Sequence, residues 1–404
     1  MLNEDMFLVI DNIELEENNE ILYAVARLAN KVVEDVANRY IDPILNNLND
    51  IRSALSIVVF KGGKDDFASI LVVDSTWTKP FVELIVGDIA VIATGYVIVA
   101  PAGIGSHGIA YIAIRRGNVD ESSFNNDVEL DAKIMEFITA EKKINKTVDM
   151  VMLDGSLYFS TIPEFFDPLD TMDVMKAKNR LSGPKLASLA SATLIRLFRK
   201  ADRFSIPVVG VVKRVSSKFL LPILSKAGLK DVEDVLLRTN DKMLMSFALR
   251  PGEYVVFNSY LEVLKQYLSY TINKYNKIKR VRKVLKILEN CHSSENILLQ
   301  ELCNYMDNTA IIFYRHLGDA VYPQAIRLDV YPKRAVEKVV NYVMYNTSHN
   351  CVPIPIDYVD KYIRLESSLI RRIYGILKAY TKNVETLIAL SPTNPQKYYL
   401  FESK

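Results

Sequence analysis

Two aspartates occupy positions where acidic side chains are unusual, at the ends of strand-like apolar runs. Asp74 follows the run 70–73, and Asp154 follows the run 151–153. A carboxylate there must be paired, hydrogen-bonded or bound to a metal ion, because burying an unpartnered charge is costly. Carboxylates that meet at one sheet edge form an oxygen-ligand site for Mn²⁺ or Mg²⁺. Two such ions, about 3.5–4 Å apart, can promote hydrolysis of a phosphodiester.

Each aspartate also has a plainer interpretation as a turn or helix-capping residue. The tripeptide Asp154-Gly155-Ser156 fits a tight turn well. Enough residues separate Asp74 from Asp154 for several strands and a helix to return both to one sheet edge. Convergence of the two carboxylates is therefore a hypothesis that a structure can test directly.

One further side chain is a candidate for the same site. Glu136 lies on a predicted helix, 127–145, that precedes the strand ending at Asp154.

The elements that would position these residues alternate between strands and helices. Such alternation predicts an α/β fold, a mixed sheet flanked by helices. We expect an N-terminal helical arm at 1–55 and one domain at 56–404, with a helical insertion at about 214–300. The predicted strands are 57–60, 70–73, 82–86, 89–99, 108–114, 148–153, 208–212, 309–315 and 325–331. The other predicted helices are 169–203, much of 214–308, 333–346 and 358–389.

The composition is that of an ordinary globular protein. Of the 404 residues, 50% are hydrophobic and 24% are charged, and the net charge is +2, so any nucleic-acid surface must be a local patch. Three cysteines exclude a disulfide framework, and without a CxxC pair they do not predict a zinc site. The apolar stretch 85–105 contains Asp88, Pro101 and several glycines, which favours strands over a membrane span. We expect a cytoplasmic protein.

Several catalytic motifs do not occur. The four histidines have no paired-ligand spacing, Ser156 is not in a GxSxG elbow, and no GxxxxGK[ST] loop occurs. The segment 103–108 matches GxGxxG but precedes a predicted strand, so we interpret it as a plain loop without phosphate-binding function. ATP binding by this chain is not expected.

One predicted helix carries a dense cluster of basic residues. Such a face is either simply solvated or a contact for the DNA backbone, whose affinity would be independent of sequence and would fall steeply with salt. The cluster comprises Lys274, Lys277, Lys279, Arg280, Arg282, Lys283 and Lys286. A smaller stripe comprises Arg196, Arg199, Lys200 and Arg203.

Five sequence blocks, in order, resemble the NurA family of archaeal DNA-repair nucleases. They are 72–77 with the following hairpin, 152–157, 207–217, 240–244 with 249–254, and 352–361. The resemblance implies a ribonuclease-H-like fold and Mn²⁺-dependent cleavage of DNA, with single-strand endonuclease and 5′-to-3′ exonuclease action. It also implies a homodimer that works with a hexameric ATPase, HerA, in double-strand-break end resection.

The resemblance assigns roles to individual residues. Asp74 matches the metal-binding aspartate of the family's first strand, and Asp154 matches the aspartate of its DGS motif. Glu136 matches an acidic residue on the preceding helix, with Glu141 and Asp131 as alternatives. Lys213 follows the strand 208–212 and matches a lysine near the scissile phosphate, where its ammonium group could contact a non-bridging oxygen. The alternative for Lys213 is a surface lysine beside Arg214.

Two further acidic residues fall in the matching blocks. Asp360 stands where many family members carry His, so it could ligate a metal but could not act as a neutral imidazole. Asp241 is either a further acidic site residue or an exposed helix cap. The departure at Asp360 keeps open a non-catalytic scaffold of the same fold that binds DNA ends or an ATPase ring. A ribonuclease or transposase-like enzyme of the same fold is a further alternative.

Overall fold

The computed structural model describes most of the chain. The described residues are 28–29, 31–63, 67–79, 81–117, 121–159, 178, 181–275, 279–318, 320, 323–365, 367–380 and 383–391, so Lys277 of the predicted basic cluster lies outside them. The strands are β1 Val58–Val59, β2 Ile70–Trp77, β3 Val82–Leu84, β4 Gly87–Ala100, β5 Gly103–Arg116, β6 Met150–Asp154, β7 Val208–Val212, β8 Glu253–Phe257, β9 Ala310–Tyr314 and β10 Ile326–Tyr331.

Helices cover both faces of the sheet. They are α1 Asp42–Asn46, α2 Leu48–Ala54, α3 Glu121–Lys143, α4 Gly183–Phe204, α5 Leu221–Lys226, α6 Lys230–Arg238, α7 Asp241–Ala248, α8 Tyr260–Lys274, α9 Lys279–Glu289, α10 Ile297–Asp307, α11 Val336–Tyr345, α12 Ile354–Ile363, α13 Ser367–Ala379 and α14 Val384–Ala389. A π-helical turn, Ala37–Ile41, precedes α1.

The strands form one mixed sheet whose order places the two aspartate-bearing strands side by side. The order is β1-β8-β9-β10-β7-β6-β2-β4-β3, and β5 pairs with the other edge of β4. Strands β2, β4 and β5 are antiparallel, whereas β6 and β7 run parallel to β2. This is the mixed sheet flanked by helices that the alternation of strands and helices predicts, and it agrees with the ribonuclease-H-like fold that the resemblance implies.

The alternating side chains of the central strands supply two separate cores. One face, with Leu71 and Val73, packs against α3 and α4 through aromatic residues such as Phe137 and Phe198. The other face packs Val72 and its neighbours against α11 and α12. Helix α12 therefore covers the face that carries the even-numbered residues of β2 and β6.

The structure corrects several details of the sequence-based prediction. Strand β2 continues to Trp77, so Asp74 lies within the strand rather than closing it. Strand β5 begins at Gly103, so the GxGxxG segment is strand and not a loop. Strand β8 was missed altogether: it lies inside the segment predicted as a helical insertion and pairs with β1 and β9.

Most of the predicted N-terminal arm, 1–27 and residue 30, lies outside the described residues. Its last part packs into the body, because Ile44 of α1 and Ile51 of α2 are buried. Cys291 and Cys303 are joined as a disulfide, a pairing that the cysteine count did not predict. In the described part of the chain, the helices are too short or too polar to span a bilayer.

Candidate metal centre

Asp74 and Asp154 come together because their strands are parallel neighbours. The register pairs Val72 with Met152 and Val73 with Leu153, so the next residue of each strand is an aspartate. Both aspartates follow the alternation of Val72 and Met152, which places them on the face covered by α12. The sequence-based hypothesis of convergence is therefore correct in its geometry.

Asp360, on α12, supplies a third carboxylate. One oxygen each from Asp74, Asp154 and Asp360 lies within 4.8 Å of the others. Lys213, one residue beyond β7, contacts two of them: its Nζ lies 2.8 Å from Asp154 Oδ2 and 2.7 Å from Asp360 Oδ2. Three hard oxygen donors at this spacing suit a divalent cation such as Mn²⁺ or Mg²⁺.

The electrostatics of the cluster are those of a site short of positive charge. Burial raises the pKa of Asp74 well above its usual range, and the negative charge of Asp154 raises it further. Burial also raises the pKa of Asp154, although Lys213 opposes that shift. The two carboxylates in turn keep the pKa of Lys213 above normal despite its burial. A bound divalent cation would relieve this repulsion.

Glu136 lies beside the cluster, held by a lysine that the sequence analysis did not identify. Lys133, one turn earlier on α3, donates to Glu136 Oε2 at 2.6 Å and also to the backbone carbonyl of Asp154. Burial raises the pKa of Glu136 to about 7, although Lys133 opposes the shift. The i,i+3 spacing of Lys133 and Glu136 on a predicted helix was the available signal.

The other acidic candidates have partners elsewhere. Asp131 is fully buried and pairs with Arg115 and Lys178. Glu141 pairs with Arg196 on the outer side of α3 and α4. Asp241 is buried rather than an exposed cap: it accepts hydrogen bonds from Ser217 Oγ and from the backbone amides of Phe219 and Leu220.

The turn after Asp154 is fixed by contacts with β7 and β10, whose residues are distant from it in sequence. Gly155 adopts a φ of 91°, and its amide donates to Val211 O. Across from it, a Cβ atom on Gly210 would lie 2.7 Å from the carbonyl oxygen of Gly155, so no side chain fits there. Ser156 Oγ donates to Asp329 Oδ2 over 2.7 Å.

The predicted basic helix is two helices in the structure. Lys274 ends α8 and pairs with Glu233 of α6. Helix α9 carries the remaining described cations, Lys279, Arg280, Arg282, Lys283 and Lys286, all exposed. The smaller stripe on α4 differs, because Arg196 and Arg199 are paired with Glu141 and Glu301.

Comparison with known proteins agrees with this architecture. A family model described as the NurA domain matches residues 81–365, a range that contains Glu136, Asp154, Lys213 and Asp360 and begins after Asp74. The fold is similar to the crystal structure of the NurA nuclease from Sulfolobus solfataricus, with a TM-score of 0.54 and 12% identity over 87% of this chain and 96% of that one.

A second solved structure, NurA bound to dAMP and manganese, aligns with a TM-score of 0.47 at 8% identity, covering 93% of this chain and 100% of the other. At 12% identity, the likeness to the Sulfolobus solfataricus structure concerns the fold alone. No curated protein sequence matches the chain.

Proposed function

The chain belongs to the NurA family, and from that premise we propose that it is a divalent-metal-dependent deoxyribonuclease. The observation that carries the proposal is the set of three carboxylates, Asp74, Asp154 and Asp360, beside Lys213 near the carboxyl ends of the central strands β6 and β7. These residues come from four separate elements, and their convergence is expected of a site rather than of chance surface acidity.

The donor set fits the metal that the family implies. Asp74 and Asp154 would hold Mn²⁺ or Mg²⁺, with Asp360 as a further ligand and Glu136 assisting from α3. Two ions at such a site would activate a water molecule and stabilise the leaving oxygen of the phosphodiester. Glu136, with a pKa raised to about 7, is suited to accept or return a proton near neutral pH.

Lys213 is placed to orient the scissile phosphate. An ammonium group has three donors, and Asp154 and Asp360 engage two of them. The third is available for a non-bridging phosphate oxygen, where a positive charge stabilises the transition state. Arg214, the exposed next residue, would contact the adjacent backbone.

Helix α9 is a second proposed contact with DNA. Its five exposed cations lie on 11 residues, which is a density that favours phosphate binding. Helix α8 precedes α9 in the chain and is about 22 Å long. Its first residue, Tyr260, packs against Tyr158, which follows the Asp154-Gly155-Ser156 turn. Lys279, Arg280, Arg282 and Lys283 would therefore bind backbone several nucleotides away from the cleaved bond.

The finer assignments are part of the same proposal. The enzyme would cut single-stranded DNA internally and degrade ends from 5′ to 3′, in double-strand-break end resection in the cytoplasm. It would act as a homodimer with a hexameric HerA-type ATPase. The helical segment before α1 exposes Val32, Val33 and Val36, which makes it a candidate contact surface for either partner. Deleting residues 1–36 should abolish co-purification with the ATPase while leaving α1 and α2 in place.

The decisive experiment removes one carboxylate. Asp74→Ala should leave the far-UV circular dichroism unchanged and abolish Mn²⁺-dependent degradation of single-stranded DNA. Asp357→Ala, one turn from Asp360 on α12, is the matched control and should retain activity. Cleavage at the wild-type rate by pure Asp74→Ala protein would refute the assignment. A panel of DNA, RNA and hybrid substrates separates a deoxyribonuclease from a ribonuclease.

One observation favours a second candidate, a non-catalytic scaffold that binds DNA ends or an ATPase ring. The Lys213 ammonium already bridges Asp154 and Asp360, and a protein that had lost its metal could be stabilised in this way. Calorimetry with Mn²⁺ separates the two functions. A nuclease should bind Mn²⁺ in a manner that depends on Asp154, whereas a scaffold should show no such heat.

A further inference from the structure

A buried arginine–aspartate pair lies behind the metal centre, on the opposite face of the sheet from Asp74 and Asp154. Arg327 and Asp329 stand two residues apart on β10, so their side chains share a face. Arg327 is 4% exposed and Asp329 is 0% exposed. The Nε and Nη2 atoms of Arg327 lie 2.9 and 2.8 Å from the same oxygen, Asp329 Oδ1, which leaves Oδ2 to accept from other groups.

The aspartate of this pair holds the loop that follows Asp154. Asp329 Oδ2 accepts hydrogen bonds from Ser156 Oγ at 2.7 Å and from the Leu157 amide at 3.2 Å. These donors are two and three residues beyond the carboxylate that would bind metal. A shift of Asp329 would therefore be transmitted to Asp154 through a very short stretch of backbone.

The arginine of the pair holds the loop that follows Lys213. Arg327 Nη1 lies 3.4 Å from Ser217 Oγ, and its guanidinium packs over the ring of Phe219 with 5.1 Å to the ring centroid. Ser217 Oγ in turn donates to the buried Asp241 at 2.6 Å. The loop after Lys213, the proposed phosphate-contacting residue, and the turn after Asp154 therefore both contact the Arg327–Asp329 pair.

We propose that Arg327 and Asp329 are positioning residues that act as one shared anchor for both loops and so set the separation of Asp154 and Lys213. The proposal rests on the proposed function and deepens it. The pair is neutral as a unit, so it aligns the site without adding charge. Loss of such outer partners typically weakens metal binding about 10–100-fold, and a misplacement of about 1 Å can lower a rate about 100-fold.

The first test uses the metal-free protein and does not depend on catalysis. Asp329→Asn keeps the shape of the side chain but removes its charge, and hydrogen exchange reports the amides of loops 155–158 and 213–220. We expect faster exchange in both loops, and Ser156→Ala should accelerate exchange in the first loop. Unchanged exchange in 213–220 for folded Asp329→Asn would overturn the shared anchor.

The second test measures the site itself. Asp329→Asn should raise the Mn²⁺ Kd about tenfold or more by calorimetry and lower kcat on single-stranded DNA with KM unchanged. If Asp329→Asn does not fold, Ser156→Ala and Ser217→Ala provide milder versions of the same test. Ser191→Ala, which removes a buried hydroxyl bonded within α4, is the matched control and should change neither quantity.

The two tests distinguish the failure of this proposal from failure of the proposed nuclease. A wild-type protein that neither binds Mn²⁺ nor cleaves DNA would end the nuclease proposal, while the exchange experiment would still judge the anchor. Conversely, an active wild type with Asp329→Asn and Ser156→Ala variants that match its Mn²⁺ Kd and kcat would remove the anchor alone.

Discussion

Two buried ionic clusters flank helix α3, and they differ in charge balance. The cluster of Arg115, Asp127, Asp131 and Lys178 contains two cations and two anions, joined by contacts of 2.8, 2.9 and 3.4 Å. The candidate metal centre, with Glu136 beside it, sets four carboxylates against two lysines, Lys213 and Lys133. The matched cluster has its countercharges in place, whereas the other has an excess of negative charge that a cation would balance. Charge balance, rather than burial of acidic residues, separates structure from a candidate site here.

The largest expected effect comes from removing a carboxylate of the unbalanced cluster. Asp154→Asn should lower kcat about 10³-fold or more, as for loss of one member of a catalytic unit. Its thermal stability should stay the same or rise, because like-charge repulsion is relieved. Steady-state nuclease assays and thermal melts measure both. A large loss of stability would mean that this cluster is as structural as its neighbour.

The balanced cluster should respond in the opposite way. Asp131→Ala leaves Arg115 and Lys178 short of a buried partner, and breaking such an ion pair costs about 3–5 kcal/mol. Denaturant unfolding measures this loss, and Glu129→Ala, exposed on the same helix, is the control. At a temperature where Asp131→Ala is folded, its kcat should equal that of the wild type. A selective loss of kcat would make Asp131 a functional residue.

A smaller effect concerns pH. The pKa values of Asp74 and Glu136 are raised mainly by burial, so the metal-free folded protein binds more protons than the unfolded chain between about pH 4.5 and 7. Its stability should therefore fall as pH rises through that window. Mn²⁺ requires the deprotonated groups, so its affinity should rise over the same window.

Melting curves with and without Mn²⁺ at pH 5.5 and pH 8 measure this dependence. At pH 8, a Mn²⁺ concentration of about 100 Kd should stabilise the protein by about 2.7 kcal/mol. The gain should be smaller at pH 5.5. A gain that is equal at both pH values, or one that survives Asp154→Asn, would place the metal elsewhere.

The smallest expected effect concerns the two groups of exposed basic residues, on α9 and on α4. Like the two buried clusters, they differ in whether their charges have partners. The cations of α9 have no acidic partner among the ion pairs of the described residues, whereas Arg196 and Arg199 on α4 do. Arg282→Ala with Lys283→Ala should weaken DNA binding equally for all sequences and reduce the salt slope by about 1 per lost phosphate contact. Arg196→Ala should change neither, as fluorescence anisotropy over a salt series would show.

Much of the fold could be predicted because local pattern and final environment agree. The apolar run at 208–212 became β7 without change, and β6 ends at Asp154 as its pattern indicated. Strand β2 was cut short at Val73, because Asp74 and Ser75 look like the end of a strand when they are in fact buried inside one. Strand β8 was hidden because its five residues follow Pro251-Gly252 in a helical context, and only pairing with β1 and β9 stabilises it.

The candidate carboxylates could be chosen from the sequence, but the residues that hold them in place could not. Asp74 and Asp154 could be chosen because each directly follows an apolar, strand-like run, although β2 continues past Asp74, and the resemblance added Asp360. The choice between Glu136 and Asp131 depends on Lys133 and Arg115, whose positions only the folded helix packing reveals. Asp329 lies 173 residues from the serine that it holds, and no local pattern connects them.

The close approach of β7 to the DGS turn has a consequence for how freely the gene can vary. A methyl group at residue 210 would press on the Gly155 carbonyl at 2.7 Å and on Leu157 at 3.0 Å. A saturation library across 208–212 should therefore tolerate exchanges among aliphatic side chains at the flanking valines and reject every replacement at the central glycine. In a selection for DNA processing, Gly210 should therefore be the least replaceable position of β7, although it would contact neither the metal ions nor the DNA.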